Sequence, residues 1–168
     1  MNRVYLLFGG NIGDVPVTFK KARELVEKKA GKICRVSPLY RTEPWGMESN
    51  NFFYNQAVGL DTDYSAETLL EKLQDIETHF GRKRVAGKMT SRTLDIDILF
   101  FNDEVIDTPR LQVPHPRMHS RRFTLLPLND IAPGLKHPSK NKTVSQLLEE
   151  CDDPLGVFPM NDDEQTES

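Results

Sequence analysis

Apolar residues at Val15, Phe19, Ala22, Val26 and Ala30 recur at steps of four and three, the spacing that lays one stripe along a helix. Asp14 stands where a side chain can cap the free N–H groups of a first turn, Pro16 suits that turn, and Gly31 supplies a stop. Leu69, Leu73, Ile76 and Phe80 repeat the arrangement between Ser65 and Gly81, with Gln74 and Glu77 expected on the exposed face. Between and around these helices the period changes. Val4 to Phe8 form an apolar run that ends at Gly9 and Gly10 and reads as a buried first strand. Residues 32–40 and 53–60 are rich in apolar, aromatic and β-branched residues and read as two strands flanking a loop, 41–51, dense in Pro, Gly and polar residues. Residues 94–101, Leu-Asp-Ile-Asp-Ile-Leu-Phe-Phe, make the strongest strand signal, and Asn102-Asp103-Glu104 a hairpin turn towards Val105-Ile106.

The order strand, helix, strand, strand, helix, strand predicts an α+β protein with a ferredoxin-like βαββαβ core: an antiparallel sheet with both helices on one face. C-terminal elements are appended. Residues 121–128 suit a short helix, and Thr143-Val144-Ser145-Gln146 resembles a capping box opening a last helix through Glu149. With no internal repeat and no linker, the expectation is one domain over residues 1–158 and an acidic, disordered tail over 159–168.

Composition narrows the class. A chain of 168 residues, 38% hydrophobic and 28% charged, is large enough to bury a core without metal or disulfide staples. No apolar run approaches the roughly 18 residues of a membrane span, and the first one is too brief for a secretory leader. Cys34 and Cys151 stand far apart without a CxxC pair, which argues against a disulfide framework or zinc site and for a reducing cytoplasm. The net charge of −3 argues against a general nucleic-acid coat. Its distribution is uneven. Residues 81–94 hold five cations (Arg82, Lys83, Arg84, Lys88, Arg92) and no anion, whereas residues 159–168 hold four carboxylates and no cation.

Candidate chemistry centres on Asp95 and Asp97. Two apart on a strand, they project from one face, roughly 6–7 Å apart along the backbone, where they can share hard cations. Carboxylates in a run of Leu, Ile and Phe need compensation, and a neighbouring Arg or plain solvent exposure would serve as well as a metal. The adjoining cationic loop turns the pair towards a polyphosphate, because carboxylate-held Mg²⁺ beside Arg and Lys is how phosphoryl transfer neutralises charge. No P-loop or kinase glycine loop is present. Gly9-Gly10-Asn11-Ile12-Gly13 could approach phosphate closely or form a tight turn with no ligand. His115 and His119 are four apart, but Pro116 between them favours ordinary hydrogen bonding over a metal. Phe52, Phe53 and Tyr54 fit a core or a stacking platform, and Asn55 beside them could read a heterocycle's edge.

Taken together, Arg92-Thr93-Leu94-Asp95-Ile96-Asp97-Ile98-Leu99 resembles the signature segment of the 6-hydroxymethyl-7,8-dihydropterin pyrophosphokinases of folate biosynthesis. Gly9-Gly10-Asn11, Tyr40-Arg41-Thr42, Asn55, Gly81-Arg82, Val113-Pro114-His115-Pro116 and Arg121-Arg122-Phe123 support it in order, across residues 1–158. The resemblance implies an ATP-dependent diphosphotransferase that passes pyrophosphate to the pterin hydroxymethyl group and releases AMP. It implies that Asp95 and Asp97 hold two Mg²⁺ ions, that Arg82, Arg92 and Arg121 bind phosphates with Arg84 on the same loop, and that Gln74, Glu77, Ile98, Arg110 and His115 complete the nucleotide site. The pterin would lie between Phe53 and Phe123, hydrogen-bonded by Asn55, Thr42 and backbone groups around Trp45. ATP and the pterin are the partners implied; no nucleic acid or membrane is, and a monomer is favoured. The chain departs from the pattern at Met89 (often Trp), Thr90 (often Gly or Ala), Gly10 (often Ser), Glu43 (often Pro), Phe53 (often Tyr) and Pro116 (often Tyr). Two rivals share the residues: a metal-dependent nuclease or nucleotidyltransferase using the same aspartates, and a ferredoxin-like RNA-binding module whose cationic loop grips phosphates.

Overall fold

A computed structural model describes residues 1–43, 52–81 and 93–160. Strand β1 (Asn2–Gly10) leads into α1 (Val15–Lys29), then come β2 (Lys32–Val36), β3 (Tyr40–Thr42), β4 (Phe53–Thr62) and α2 (Ala66–His79). After β5 (Asp95–Phe101) the chain forms β6 (Ile106–Asp107), β7 (Gln112–Val113), α3 (Arg122–Ile131), α4 (Val144–Glu150) and β8 (Val157–Pro159). Both main helices start as their sequences require. The Asp14 carboxylate accepts from the Val17 N–H at 3.3 Å and the Ser65 hydroxyl from the Thr68 N–H at 3.3 Å, satisfying N–H groups that have no partner inside the helix. Gly81, just past α2, sits at φ +87°, a left-handed conformation that costs glycine least. Thr143 and Gln146 form the expected reciprocal cap of α4.

The main sheet runs β5-β1-β4-β3-β8, with β2 also on β4, and its pairings are antiparallel. This is the α+β, ferredoxin-like order. Helices α1 and α2 bury Phe19, Val26, Leu69 and Leu73 against Val4, Leu6, Phe8 and Ile98 on one face, where Phe8 and Phe19 meet edge to face at 5.7 Å. Helices α3 and α4 occupy the other face, over Tyr5, Leu7, Ala57, Leu99 and Phe100.

Four expectations are corrected. The strand read over 32–40 is two, because Ser37 and Pro38 break it: the Ser37 hydroxyl accepts from the Ala57 N–H at 2.9 Å and donates to the Pro38 carbonyl at 2.7 Å. Asn102 does turn the chain, at φ +51°, but β6 pairs with β7 in a separate two-stranded sheet and not with β5. The helix read over 121–128 continues to Ile131, because Pro127 leaves the helix unbroken. The chain past residue 158 is not wholly a tail: Pro159 pairs with Tyr40, and the Met160 N–H donates to the Leu39 carbonyl at 2.8 Å.

One irregularity shapes the site. Along β1 and β5 the register jumps between Tyr5, opposite Phe100, and Leu6, opposite Ile98, leaving Leu99 as the extra residue of a β-bulge.

Candidate active site

Asp95 and Asp97 lie on the face away from α1 and α2, half-buried, alternating with Ile96 and Ile98, which point into the core. Alternation along β5 does this. The cross-strand register then builds a row: Asp95 stands opposite Gly9, Gly9 opposite Asn55, and Asn55 opposite Tyr40. One step outward, Phe53 stands opposite Thr42. One step inward, Asp97 stands opposite Leu7 and Leu7 opposite Ala57, where the apolar cover of α3 and α4 begins.

Gly9 keeps this row open. A β-carbon there would lie 3.1 Å from the Asn55 amide nitrogen and 4.0 Å from the Asp95 β-carbon, so the space between amide and carboxylate exists because no side chain fills it. Asn55 is buried, and its Nδ2 donates to the Phe8 carbonyl at 3.2 Å, which fixes the orientation of the amide. Thr42 is buried with its hydroxyl oxygen lacking a hydrogen-bond partner among the described residues. Phe53 is 47% exposed, a large apolar surface at the rim. The Tyr40 hydroxyl donates to the Asp130 carboxylate of α3, closing the far end of the row; burial first, and then that bond, push the phenol's pKa well up.

The segment between β7 and α3 brings the remaining groups. The His115 N–H donates to the Leu99 carbonyl of the bulge at 3.1 Å, and the His115 Nδ1 accepts from the Arg117 N–H at 3.3 Å, so the neutral ring carries its proton on Nε2. Burial lowers the His115 pKa, the Arg121 charge lowers it further, and Asp95 partly opposes both. Burial also lowers the Arg121 pKa, with Arg117 adding to the effect while Asp97 and Asp153 oppose it; arginine stays charged regardless. The Arg121 guanidinium lies 5.5 Å from the centre of the Phe123 ring. Arg122 works elsewhere: its guanidinium donates to the Asp153 and Cys151 carbonyls at 2.7 and 2.9 Å, tying α3 to the C-terminal segment.

Asp95, Asp97, His115 and Arg121 are thus drawn together, and Thr42, Asn55, Phe53 and Phe123 lie on the same side of the sheet. Others do not join them. Glu77, expected on an exposed face, is 4% exposed, and its carboxylate accepts from the Ile96 N–H at 2.7 Å. Ile98 is buried in the core under α1 and α2, leaving its backbone as the part a ligand on the carboxylate face could reach. Gln74 is half-buried on α2, and Arg110 pairs with Glu71 of that helix at 3.5 Å across an exposed contact. Arg82, Arg84, Arg92 and Trp45, and the departures at Met89 and Thr90, lie outside the described residues. Tyr40 received no role from the sequence, since its partner Asp130 is 90 residues away.

The donor set favours a hard, hydrated cation. Among the described residues no group of three or more His, Cys, Asp and Glu could hold a metal, so a closed protein cage is absent there. Two carboxylates on one face suit Mg²⁺, which keeps waters and takes further oxygens from phosphate.

The sequence matches the family described as 7,8-dihydro-6-hydroxymethylpterin-pyrophosphokinase over residues 5–133. It is 38% identical over 152 residues to the 2-amino-4-hydroxy-6-hydroxymethyldihydropteridine pyrophosphokinase of Pseudomonas aeruginosa, covering 90% of this chain and 93% of that one. The enzyme of the same name from Bacillus subtilis is 38% identical over 146 residues, 86% of this chain and 87% of its own. Among solved structures, a Plasmodium falciparum HPPK-DHPS chain superposes with a TM-score of 0.73 at 21% identity, over 89% of this chain and 43% of that chain, so this chain spans less than half of the longer one.

Proposed function

The chain belongs to the 7,8-dihydro-6-hydroxymethylpterin-pyrophosphokinase family, and from that membership we infer that it transfers pyrophosphate from ATP to 6-hydroxymethyl-7,8-dihydropterin, releasing AMP, in folate biosynthesis. The observation that carries the placement of this chemistry is the row Asp95–Gly9–Asn55. In it the Asp95 carboxylate and the Asn55 amide stand on either side of a gap that no side chain fills, which supports reading the first as a cation ligand and the second as a reader of the heterocycle.

The pterin takes the Asn55 end. Phe53 and Phe123 offer ring faces to a flat heterocycle, while Asn55, the Thr42 hydroxyl and backbone near Trp45 meet its polar edge. Its hydroxymethyl group then points along the Gly9 gap towards the carboxylates. ATP takes the other end. Asp95 and Asp97 would hold Mg²⁺, two ions by the family resemblance, which would neutralise the triphosphate and its transition state.

Arg121 adds a fixed positive charge beside Asp97, aimed at phosphate oxygens, and Arg82, Arg84 and Arg92 act in the same sense. His115, neutral near pH 7 because burial lowers its pKa, offers Nε2–H as an uncharged donor to the nucleotide. The family resemblance adds Ile98, through its backbone, Arg110, Gln74 and Glu77 to the nucleotide side, a placement that rests on the resemblance alone. The hydroxymethyl oxygen attacks the β-phosphorus and the α-phosphate leaves as AMP, so catalysis is positioning and charge neutralisation. No residue is assigned as general base. The free thiols Cys34 and Cys151 accord with a cytoplasmic setting.

The test is the nucleotide product. Incubation with Mg²⁺, ATP and the pterin should yield AMP and the pterin diphosphate in equal amounts; ADP alone, or no turnover, would overturn the reading.

A further inference from the structure

Among the described residues strand β5 ends the sheet, so one row of its backbone N–H groups faces away from β1 with no described strand to receive it. The Ile96 N–H belongs to that row, and it lies between the two carboxylates assigned to the metal. The Glu77 carboxylate receives it, at 2.7 Å. Glu77 sits in the last turn of α2 and is 4% exposed. Burying a carboxylate is unfavourable unless it is compensated, and here it accepts a short, charge-assisted bond from the peptide it overlies.

The helix is fixed in turn. Leu69, Leu73 and Ile76 on the same side of α2 are buried in the core, so Glu77 has little freedom to shift. The bond therefore joins a packed helix to the short stretch of backbone that carries both aspartates.

We propose that Glu77 is a positioning residue for the metal site: by holding the Ile96 amide it sets the strand geometry that aims Asp95 and Asp97 at shared cations. The proposal rests on the assignment of these aspartates to Mg²⁺. It gives Glu77 a role through the strand, apart from the nucleotide-side role that the family resemblance suggests.

Two variants separate the possibilities. Glu77→Gln keeps an oxygen that can accept from Ile96, and Glu77→Leu keeps the volume without the acceptor. The first measurement needs no turnover: amide hydrogen exchange at Ile96, and the Mg²⁺ concentration for half-maximal binding of a non-hydrolysable ATP analogue. Glu77→Leu should lose Ile96 protection and raise that Mg²⁺ midpoint about 10-fold, the usual size of an outer-shell effect. Glu77→Gln should keep the protection and stay within about 3-fold of the parent. The KM for the pterin should be unchanged in both, because the bond lies at the β5 edge, across β1 from Asn55.

An unchanged midpoint in folded Glu77→Leu would overturn the proposal. So would a Glu77→Gln variant that keeps Ile96 protected yet loses Mg²⁺ as severely as Leu, because charge and not the bond would then be the cause. If Glu77→Leu fails to fold, the Gln variant alone decides by the same two readings. A parent protein that releases no AMP would overturn the functional reading instead, a separate result from any of these.

Discussion

The two faces of the sheet are built from the same strands and solve opposite problems. Under α1 and α2 the inward positions of β1, β4 and β5 are mainly apolar, with Gln56 held by Arg23 of α1 and Thr62 as buried polar exceptions, and the side chains of Leu6, Phe8, Leu60, Leu69 and Leu73 are fully buried. On the other face that filling stops part-way, at Leu7 and Ala57, and gives way to Asp95, Asp97, Asn55, Thr42 and Phe53. The first arrangement supplies stability through area removed from water. The second sets polar side chains and an exposed ring where the apolar cover ends, the face to which the proposed chemistry is assigned. One face can therefore be altered for stability and the other for activity, and the boundary between them falls within a single strand.

Substitutions that respect or cross that boundary test it. Asp97→Ala should have the largest effect, lowering kcat about 10³-fold, roughly 4 kcal/mol of barrier, while leaving the thermal midpoint near that of the parent. Steady-state AMP release alongside a melting curve checks both halves. Leu73→Ala on the opposite face should do the reverse, destabilising by about 3 kcal/mol with kcat retained below the transition. Urea unfolding measures the first quantity, and a loss of kcat as large as that of Asp97→Ala would break the division.

Gly9→Ala lies on the boundary itself. The added carbon, 3.1 Å from the Asn55 amide, should displace it and raise the pterin KM about 10-fold, with the KM for ATP changed less. Equal changes in both would mean that Gly9 does not separate two subsites.

The smallest effect is one of pH. Burial is the main cause that lowers the pKa values of His115, His119 and His137 below the ordinary 6.5. Below about 6.5 the unfolded chain therefore takes up protons that the folded chain refuses, so these groups make stability fall as pH drops through and below that value. Urea midpoints between pH 7.5 and 5.5 should show the decline, and His115→Gln should make it shallower.

The face under α1 and α2 was readable because helical periodicity and end signals are local: the stripes from Val15 to Val26 and from Leu69 to Ile76, the cap at Asp14 and the start near Ser65 are where the pattern put them. The shared face of Asp95 and Asp97 was legible for the same reason, since two residues on a strand point one way. Glu77 was misread although a signal existed. It stands four residues after Leu73 and eight after Leu69, inside the apolar stripe, so a carboxylate there was a buried polar group needing a partner. What the pattern could not convey are the long-range pairings. Nothing local says that β8 returns to β3, that β6 takes β7 and not β5, or that Tyr40 meets Asp130.

The bulge at Leu99 acts as a phase change along β5. Leu99 and Phe100 both face α3 and α4, so the strand has one parity at Asp95–Ile98 and the opposite one at Phe100–Phe101. Removing Leu99 would restore plain alternation, with Ile98 inward, Phe100 outward and Phe101 inward, and would leave Asp95 and Asp97 on their face; what it would take away is a side chain under α3 and α4 and a carbonyl. The same irregularity presents the carbonyl that holds His115. One supernumerary leucine thus anchors the imidazole segment to the strand that carries the acid pair, a link made by backbone that exchanges of its side chain should leave in place.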